Sequence, residues 1–170
     1  MQKLDKIKIL VVGESRSGKT ALFRNLGYLS RNIEMNDGKR IQLYKYRTEI
    51  NKFNYTFHLW DFKDVSNFQK AYESKFEGAM GIISVFDLSR PKTLSKAKSY
   101  LNIIAESLGK LPPFILIGNK VDLVYNLNSV INREDIIGYA KAHNGIYIET
   151  SLNDLNNIKI ALQKLLFEKL

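Results

Sequence analysis

Cysteine is absent from this chain of 170 residues. Disulfide bonds, cysteine metal ligands and thiol catalysis are therefore excluded, and so are prenylation and palmitoylation, because each needs a cysteine. The glycine after Met1 that myristoylation needs is also missing. No apolar stretch approaches the ~20 residues of a membrane span, and residues 1–8 lack a signal-peptide core. We expect no lipid anchor, at most a peripheral membrane contact, and a cytoplasmic location.

Long runs of one charge are missing too, although the formal net charge is +9. Because the basic residues are dispersed, a mostly solvated basic surface is favoured over a dedicated docking face, and nucleic acid is not expected as a partner. The hydrophobic fraction of 45% is enough for a sizeable core. We predict that residues 1–170 form a single domain and that the protein is a monomer rather than an oligomer.

Apolar runs and alternating patterns predict the order of the secondary structure. The predicted strands cover residues 7–12, 41–50, 55–61, 79–86, 114–117 and 146–148. The predicted helices cover residues 19 to about 29, 67–76, 91–109, 133–143 and 153–170, with Gly145 capping the fourth and Asn153 a candidate N-cap of the fifth. Residues 51–54 form a predicted hairpin turn, and residues 30–40 and 124–132 are the longest irregular stretches. Strands that alternate with helices indicate a doubly wound, mostly parallel six-stranded α/β sheet with one antiparallel edge strand and helices on both faces.

A phosphate-binding loop is predicted between the first strand and the first helix. The stretch Gly13-Glu14-Ser15-Arg16-Ser17-Gly18-Lys19-Thr20 fits the pattern G-x-x-x-x-G-K-[ST]. Its glycines let successive backbone N–H groups face inward at a helix N-terminus, where the helix dipole favours an anion. Lys19 would reach the β- and γ-phosphates, and the Thr20 hydroxyl suits Mg²⁺. The predicted nucleotide contacts here are Ser15, Arg16, Ser17, Gly18, Lys19, Thr20 and Ala21, although the Arg16 side chain is expected to point to solvent.

A second motif, Asn119-Lys120-Val121-Asp122, follows a predicted buried strand. The Asp122 carboxylate can accept hydrogen bonds from N1–H and the exocyclic amine of guanine, a pair of donors that adenine lacks. The stem of Lys120 can lie over the base, and Asn119 can hold the loop. Placed after a phosphate loop, this motif resembles the guanine-reading motif of small Ras-superfamily GTPases. The alternative is an ordinary polar loop after a strand.

The resemblance covers nearly the whole chain and is nearest in style to the Rab proteins. It implies a P-loop NTPase fold that binds GTP or GDP with Mg²⁺, the metal being held by Thr20 and Asp61. It also implies regulator or effector proteins at residues 30–52 and 61–78. The base-contacting set becomes Asn119, Lys120, Asp122, Leu123, Ser151 and Leu152. In the family the loop at Ser151 supplies backbone N–H groups to guanine, but a plain strand-to-helix turn explains residues 149–153 equally well.

The sequence departs from the family at the segment that follows the metal aspartate. The family pattern Asp-x-x-Gly-Gln is here Asp61-Phe62-Lys63-Asp64-Val65. The glycine whose N–H would bond the γ-phosphate is therefore Asp64, and its carboxylate would meet like-charge repulsion there. The glutamine that would orient the attacking water is Val65, which has no polar group for that task.

The family's other switch residue, a threonine over the metal, has no equivalent. No threonine lies between Thr20 and Thr48, and family spacing lands on Gly38 in a predicted turn. Asp37 and Ser30 are the candidate replacements as metal ligands. Nearby, residues 39–52 carry a single acid, Glu49, among five basic residues. Those charges are either protection of a sheet edge or a docking face for an acidic partner.

Two functions stay open from the sequence. The first is a GTP/GDP switch with slow intrinsic hydrolysis, in which Lys19, as the catalytic residue, and Mg²⁺ stabilise charge during in-line attack of water. The second is a non-hydrolysing pseudo-GTPase scaffold that binds guanine nucleotide constitutively and docks partners. Asp64 and Val65 favour the scaffold, whereas the intact phosphate loop with Thr20 and Asp61 favours the switch.

Overall fold

A computed structural model describes residues 6–126 and 131–167, without the side chains of residues 28–30. Seven strands form one sheet in the order β2-β3-β4-β1-β5-β6-β7. The strands are β1 (Ile7–Gly13), β2 (Tyr28–Glu34), β3 (Arg40–Ile50), β4 (Phe53–Phe62), β5 (Gly81–Asp87), β6 (Phe114–Asn119) and β7 (Gly145–Glu149). Strand β3 is antiparallel to both β2 and β4, and the other neighbouring pairs are parallel. The predicted fold class is confirmed, with seven strands in place of six.

Five helices are described. They are α1 (Lys19–Leu26), α2 (Phe68–Tyr72), α3 (Thr93–Leu108), α4 (Arg133–Ala142) and α5 (Asn156–Phe167), with short 3₁₀ turns at Glu73–Lys75 and Val121–Leu123. Within the described ranges, none of the helices is both long enough and apolar enough to cross a membrane. The predicted end of α5 at residues 168–170, and residues 127–130 of the predicted irregular stretch, lie outside the described residues.

The sheet has an apolar core on each face because side chains alternate along a strand. Ile9 and Val11 of β1 face a core completed by α1 and α5, whereas Leu10 and Val12 face a core completed by α2, α3 and α4. Helices therefore cover both faces, as predicted. The second core contains an aromatic cluster in which the Phe62 ring lies edge-on to three neighbours, namely Phe68, Tyr72 and Phe76.

The largest difference from the predicted elements is β2. The helix α1 ends at Leu26, not near residue 29, and residues 28–34 pair with β3 instead of forming an irregular segment. Strand β2 (YLSRNIE) has little apolar alternation, so its pairing with β3 decides its structure. The hairpin turns at Gly38, which has φ +79°, and Met35 N–H donates to Lys39 O at 2.7 Å. The sheet edge is thus β2, and edge protection no longer explains the basic residues of β3.

Two predicted helix caps are also wrong. Helix α4 ends at Ala142, the chain turns at Asn144 with φ +60°, and Gly145 opens β7. Helix α5 begins at Asn156, where the backbone N–H donates to Asp154 Oδ1 at 2.9 Å. Asn153 precedes this turn and does not cap the helix. In both places a turn of several residues intervenes where the sequence suggested a direct cap.

Gly27 joins α1 to β2 at a point where the backbone lies close to β3, and this close approach can be tested through stability. A Cβ at Gly27 would lie 2.4 Å from the carbonyl oxygen of Lys45 on β3, whereas a Cβ at Gly138 in α4 would meet nothing within 4 Å. Gly27→Ala should lower the free energy of unfolding by about 1–3 kcal/mol through steric conflict with the backbone. Gly138→Ala should raise it by roughly 0.5–1 kcal/mol, because alanine favours a helix. Urea unfolding measures both, and equal stability of the two variants would contradict the placement of β2.

Candidate functional site

The predicted site residues lie where β1, β4, β6 and β7 end. The phosphate loop follows β1, Asp61 lies near the end of β4, and Asn119 ends β6. The loop that contains Ser151 follows β7. Because these four strands are mutually parallel, their carboxyl ends meet at one edge of the sheet, the usual ligand position in this kind of fold. The topology alone therefore brings the sequence motifs together.

The phosphate loop is held tightly at both of its glycines. A Cβ at Gly13 would lie 2.6 Å from Val85 O, and one at Gly18 would lie 2.4 Å from the side-chain nitrogen of Asn119. Gly18 also has φ +89°, in the left-handed region that favours glycine. Between them the chain turns, and Ser17 N–H donates to Glu14 O at 3.1 Å. Only glycine fits at these two positions.

Three successive carbonyl oxygens of the loop accept hydrogen bonds from side chains outside it. Arg90 Nη2 donates to Ser15 O at 3.0 Å. Lys120 Nζ donates to Arg16 O at 2.9 Å, and Asn119 Nδ2 donates to Ser17 O at 2.8 Å. In a trans peptide the C=O and N–H groups point in opposite directions. Holding the Ser15 and Ser17 carbonyls therefore turns the N–H groups of Arg16 and Gly18 the other way, as an anion-binding loop requires, whereas the Ser17 N–H is used within the loop by Glu14 O.

The three donors Arg90, Asn119 and Lys120 form a clamp on the phosphate loop, and two of them were predicted to read the base. Asn119 and Lys120 lie against the phosphate loop, so the base-reading motif and the phosphate loop form one unit. Lys120 has φ +63°, and Arg16 has φ +65° with an exposed side chain, as expected. Ala21 lies within the first turns of α1, where its carbonyl accepts from Asn25 Nδ2 at 2.8 Å.

Asp87 completes the clamp and was missed by the sequence reasoning. Its side chain is 1% exposed and accepts from Lys120 Nζ at 2.8 Å and from Arg90 Nε at 3.1 Å. Burial would raise the pKa of the Asp87 carboxyl, but hydrogen bonds from Lys120, Ser89 and Arg90 outweigh it and lower the pKa to about 2. The only signal for Asp87 in the sequence was that an acidic residue directly follows the predicted buried strand of residues 79–86.

The predicted metal residues are adjacent to each other. Thr20 Oγ1 donates to Asp61 Oδ2 at 2.7 Å, and Lys19 Nζ lies 3.4 Å from Asp61 Oδ1. Asp61 is fully buried, and its Oδ1 has no hydrogen-bond partner within the described part of the chain. A buried carboxylate with an unsatisfied oxygen beside a hydroxyl fits a hard cation such as Mg²⁺, which takes one or two protein oxygens together with phosphates and water. Thr20 and Asp61 are the residues that would hold it.

The loops after β6 and β7 are joined through their backbones. Thr150 N–H donates to Gly118 O at 2.9 Å, and Val121 N–H donates to Thr150 O at 3.1 Å. Asp122 lies in the 3₁₀ turn between them with its side chain exposed. Ser151 is only 7% exposed and accepts from Asn153 N–H at 3.3 Å.

Leu123 and Leu152 are exposed large hydrophobic residues beside these loops. Leu123 is 65% exposed and Leu152 is 52% exposed. The sequence placed both among the nucleotide contacts, and both lie next to residues of the base-reading loops. Neither side chain belongs to the buried core, so both present apolar surface beside these loops.

Asp64 contacts the phosphate loop directly. Ser15 N–H donates to Asp64 Oδ2 at 2.9 Å, and the Tyr100 hydroxyl of α3 donates to Asp64 Oδ1. Lys96 Nζ lies 3.6 Å from the same oxygen. Burial would raise the pKa of Asp64, but the hydrogen bonds from Tyr100 and Ser15 and the charge of Lys96 bring it below its ordinary value. The carboxylate is therefore ionised, and Val65 beside it packs against the core.

Asp37, one of the two candidate replacements for the missing switch threonine, makes its contacts away from the metal residues. Asp37 lies in the turn between β2 and β3, where it forms an ion pair with Lys39 and accepts from Lys39 N–H at 3.1 Å. The side chain of Ser30 lies outside the described residues. The segment that the sequence treated as a loop over the nucleotide is instead a β-hairpin.

Comparison with known proteins identifies what this arrangement resembles. A sequence model of the Ras family matches residues 8–169. The Ras-related protein Rab-18 of Lymnaea stagnalis is 26% identical over 162 residues, which cover 94% of this chain and 78% of that protein. Rab-18-B of Danio rerio is 27% identical over 169 residues, covering 95% of this chain and 78% of that protein. The Ras-related protein RABA4c of Arabidopsis thaliana is 24% identical over 168 residues, covering 98% and 74%.

The low pKa of Asp87 predicts how acid affects stability. A carboxyl with a folded-state pKa of about 2, against an ordinary 3.8, contributes about 2 kcal/mol above pH 4. That contribution is lost as the pH falls through 4 toward 2, because the proton then binds the unfolded chain more readily. Asp87→Asn should be less stable at pH 6 and should lose less stability than the wild type on going from pH 5 to pH 3. Urea unfolding at each pH measures this, and parallel pH profiles would contradict the role of Asp87.

Proposed function

The chain belongs to the Ras family, and on that premise we propose that it is a guanine-nucleotide-binding protein, a GTP/GDP switch with slow intrinsic hydrolysis. The observation that carries the proposal is the clamp on the phosphate loop. Asn119 and Lys120, the residues of a base-reading motif, hold the carbonyls of Ser17 and Arg16. A site built to bind phosphate is thereby coupled to the motif that would select guanine.

Each part of the site has a proposed task. Backbone N–H groups of the phosphate loop would bind phosphate oxygens at the N-terminus of α1, and Lys19 would contact the β- and γ-phosphates. Thr20 and Asp61 would hold Mg²⁺, which when bound neutralises charge on the phosphates. Asp122, exposed in its turn, would accept from the guanine edge. Lys19 is the catalytic residue because its charge would stabilise the charge that develops on the transferred phosphoryl group.

Slow hydrolysis follows from the segment after Asp61. Val65 is partly buried against the core of α2 and α3 and has no hydrogen-bonding group with which to orient a water molecule. Asp64 adds a negative charge, already bound to Ser15 N–H, on the side of the terminal phosphate. A fast reaction would need a partner that supplies the water-orienting group.

The contact of Asp64 with the phosphate loop also favours a second candidate function. A protein in which the segment after the metal aspartate is fixed to the loop and to Tyr100 can bind nucleotide without changing shape in response to it. The nucleotide would then be structural, and the protein would act as a pseudo-GTPase scaffold. Hydrolysis measurements separate the two candidates.

Partner proteins are proposed to dock at residues 30–52 and 61–78. A cavity of about 420 Å³ lies beside the first of these segments, lined by Arg31, Leu43 and Lys45 from it and by Lys6, Lys8, His58 and Trp60 from outside both ranges. Lys8, His58 and Lys45 lie side by side on β1, β4 and β3. Burial lowers the pKa of His58, and the charges of Lys45, Lys6 and Arg31 lower it further. This concentration of positive charge suits an acidic segment of a partner.

Hydrolysis in a single turnover tests the switch against the scaffold. With Mg²⁺ and bound GTP, the wild type should release phosphate slowly, on the order of 10⁻⁴ s⁻¹ or less, the scale of an unassisted Ras-type protein. Lys19→Ala should abolish the release, whereas Lys141→Ala, an exposed change on α4, should not alter it. Retention of intact GTP for many hours by the wild type would contradict the enzyme and leave the scaffold.

Base selection has its own test at Asp122. Asparagine there would present an amide in place of a carboxylate, which matches the altered edge of xanthine and mismatches guanine. Asp122→Asn should lose roughly 10²-fold or more in affinity for GDP, since a buried donor is left unpaired, and should gain affinity for xanthosine diphosphate. Asp135→Asn, an exposed change on α4, serves as the control. Unchanged base preference in Asp122→Asn would refute the assignment.

A further inference from the structure

Asp64 bridges two elements that a glycine at this position would leave separate. Its Oδ2 accepts from Ser15 N–H at 2.9 Å, and its Oδ1 accepts from the Tyr100 hydroxyl. The Tyr100 side chain is 1% exposed, and Lys96 of the same helix lies 3.6 Å from Oδ1. The Asp64 side chain itself is 16% exposed. Both carboxylate oxygens are thus used, one by the phosphate loop and one by α3.

The donor that Asp64 occupies belongs to the anion-binding loop itself. Ser15 is the third residue of the loop from Gly13 to Thr20, so residues 61–65 contact the loop in its first half through Asp64 and at its far end through Asp61. Asp61 of that segment lies beside Thr20 and Lys19, the residues that serve the metal and the β- and γ-phosphates. The Asp64 carboxylate therefore lies at the end of the site where a third phosphate would arrive, rather than at the end that holds the base.

A carboxylate in this position acts on a diphosphate and a triphosphate differently. A triphosphate brings its extra negative charge next to Asp64, in a partly buried place where salt screens the repulsion weakly. To accept it, Asp64 would have to release Ser15 N–H and turn away from Tyr100 and Lys96. A diphosphate leaves those contacts intact. The structure thus contains an internal anion that competes with a terminal phosphate.

From this geometry we infer that Asp64 makes the site selective for the nucleoside diphosphate over the triphosphate. Tyr100 and Lys96 are positioning residues that hold the carboxylate on the phosphate loop. This inference rests on the proposed guanine-nucleotide function and specifies which state of the nucleotide the chain holds. The magnitude expected for such a coupling is about 10- to 100-fold in the ratio of the two dissociation constants.

The test measures the Kd of GDP and of GTP, each with Mg²⁺, on the nucleotide-free full chain. The wild type should bind GDP about 10- to 100-fold more tightly than GTP. Asp64→Asn keeps the shape but removes the charge, so it should bring the ratio to within about 3-fold of one, mainly through tighter GTP binding. Tyr100→Phe, which removes only the hydroxyl, should lower the ratio part of the way. Asp135→Asn should leave it unchanged.

The outcomes separate the inference from the function on which it rests. Tight GDP binding with a wild-type ratio near one, or with the same ratio in Asp64→Asn as in the wild type, would overturn the inference and leave the proposed function standing. Binding of neither guanine nucleotide by the folded wild type would refute the proposed function and the inference with it. Retained GDP binding by Asp64→Asn shows that this variant is folded.

Discussion

Three successive carbonyl oxygens, those of Ser15, Arg16 and Ser17, are held by side chains from other loops, and the rest of the site is arranged around this constraint. A phosphate loop functions only if its N–H groups face a common point, and peptide planarity links that requirement to the position of the carbonyls. The clamp comes from the ends of β5 and β6. A parallel sheet is what brings those ends to the loop after β1.

Asp87 stabilises the clamp because it is the buried counter-charge for both Lys120 and Arg90. Without Asp87, these two cations would lose the carboxylate that they share. Because Lys120 also belongs to the predicted base-reading motif, its ion pair with Asp87 and its hydrogen bond to Arg16 O connect that motif to the phosphate loop.

The two segments in which the sequence departs from the family pattern both have contacts within the protein. The first is a β-hairpin, with β2 paired to β3 along residues 28–34. The second is attached to the phosphate loop by Asp64 and packed against the core by Val65. The phosphate-binding and base-reading parts are retained, whereas the side of the site that would sense a terminal phosphate is occupied by the protein's own carboxylate. This distribution supports nucleotide binding more strongly than rapid turnover.

The sequence predicted the motifs and most of the sheet because those depend on local patterns. A buried apolar run or a glycine-bounded loop indicates the same local structure in most folds. The ends of β1 and β6 were therefore predicted within a residue or two. Strand β2 could not be predicted, because its structure depends on pairing with β3 and on the close approach of Gly27 to Lys45 O. Neither contact can be read from the local sequence. The partners of Asp87 and Asp64 are likewise distant in sequence; Asp64 lies 36 residues from Tyr100. The repulsion between Asp64 and a phosphate could be predicted from the position of Asp64 in the motif. The hydrogen bond from Ser15 N–H to Asp64 could not, because only the fold brings the two residues together.

Binding of a guanine nucleotide through the clamped loop at Gly13 to Thr20 is the property on which the proposed function depends. Isothermal titration of the nucleotide-free full chain with GDP and with ADP, both with Mg²⁺, tests it most directly. We expect one GDP bound per chain, with ADP weaker by at least about 100-fold because adenine lacks the pair of donors that the Asp122 carboxylate would accept from guanine. Equal affinity for the two nucleotides, or binding of ADP alone, would contradict it.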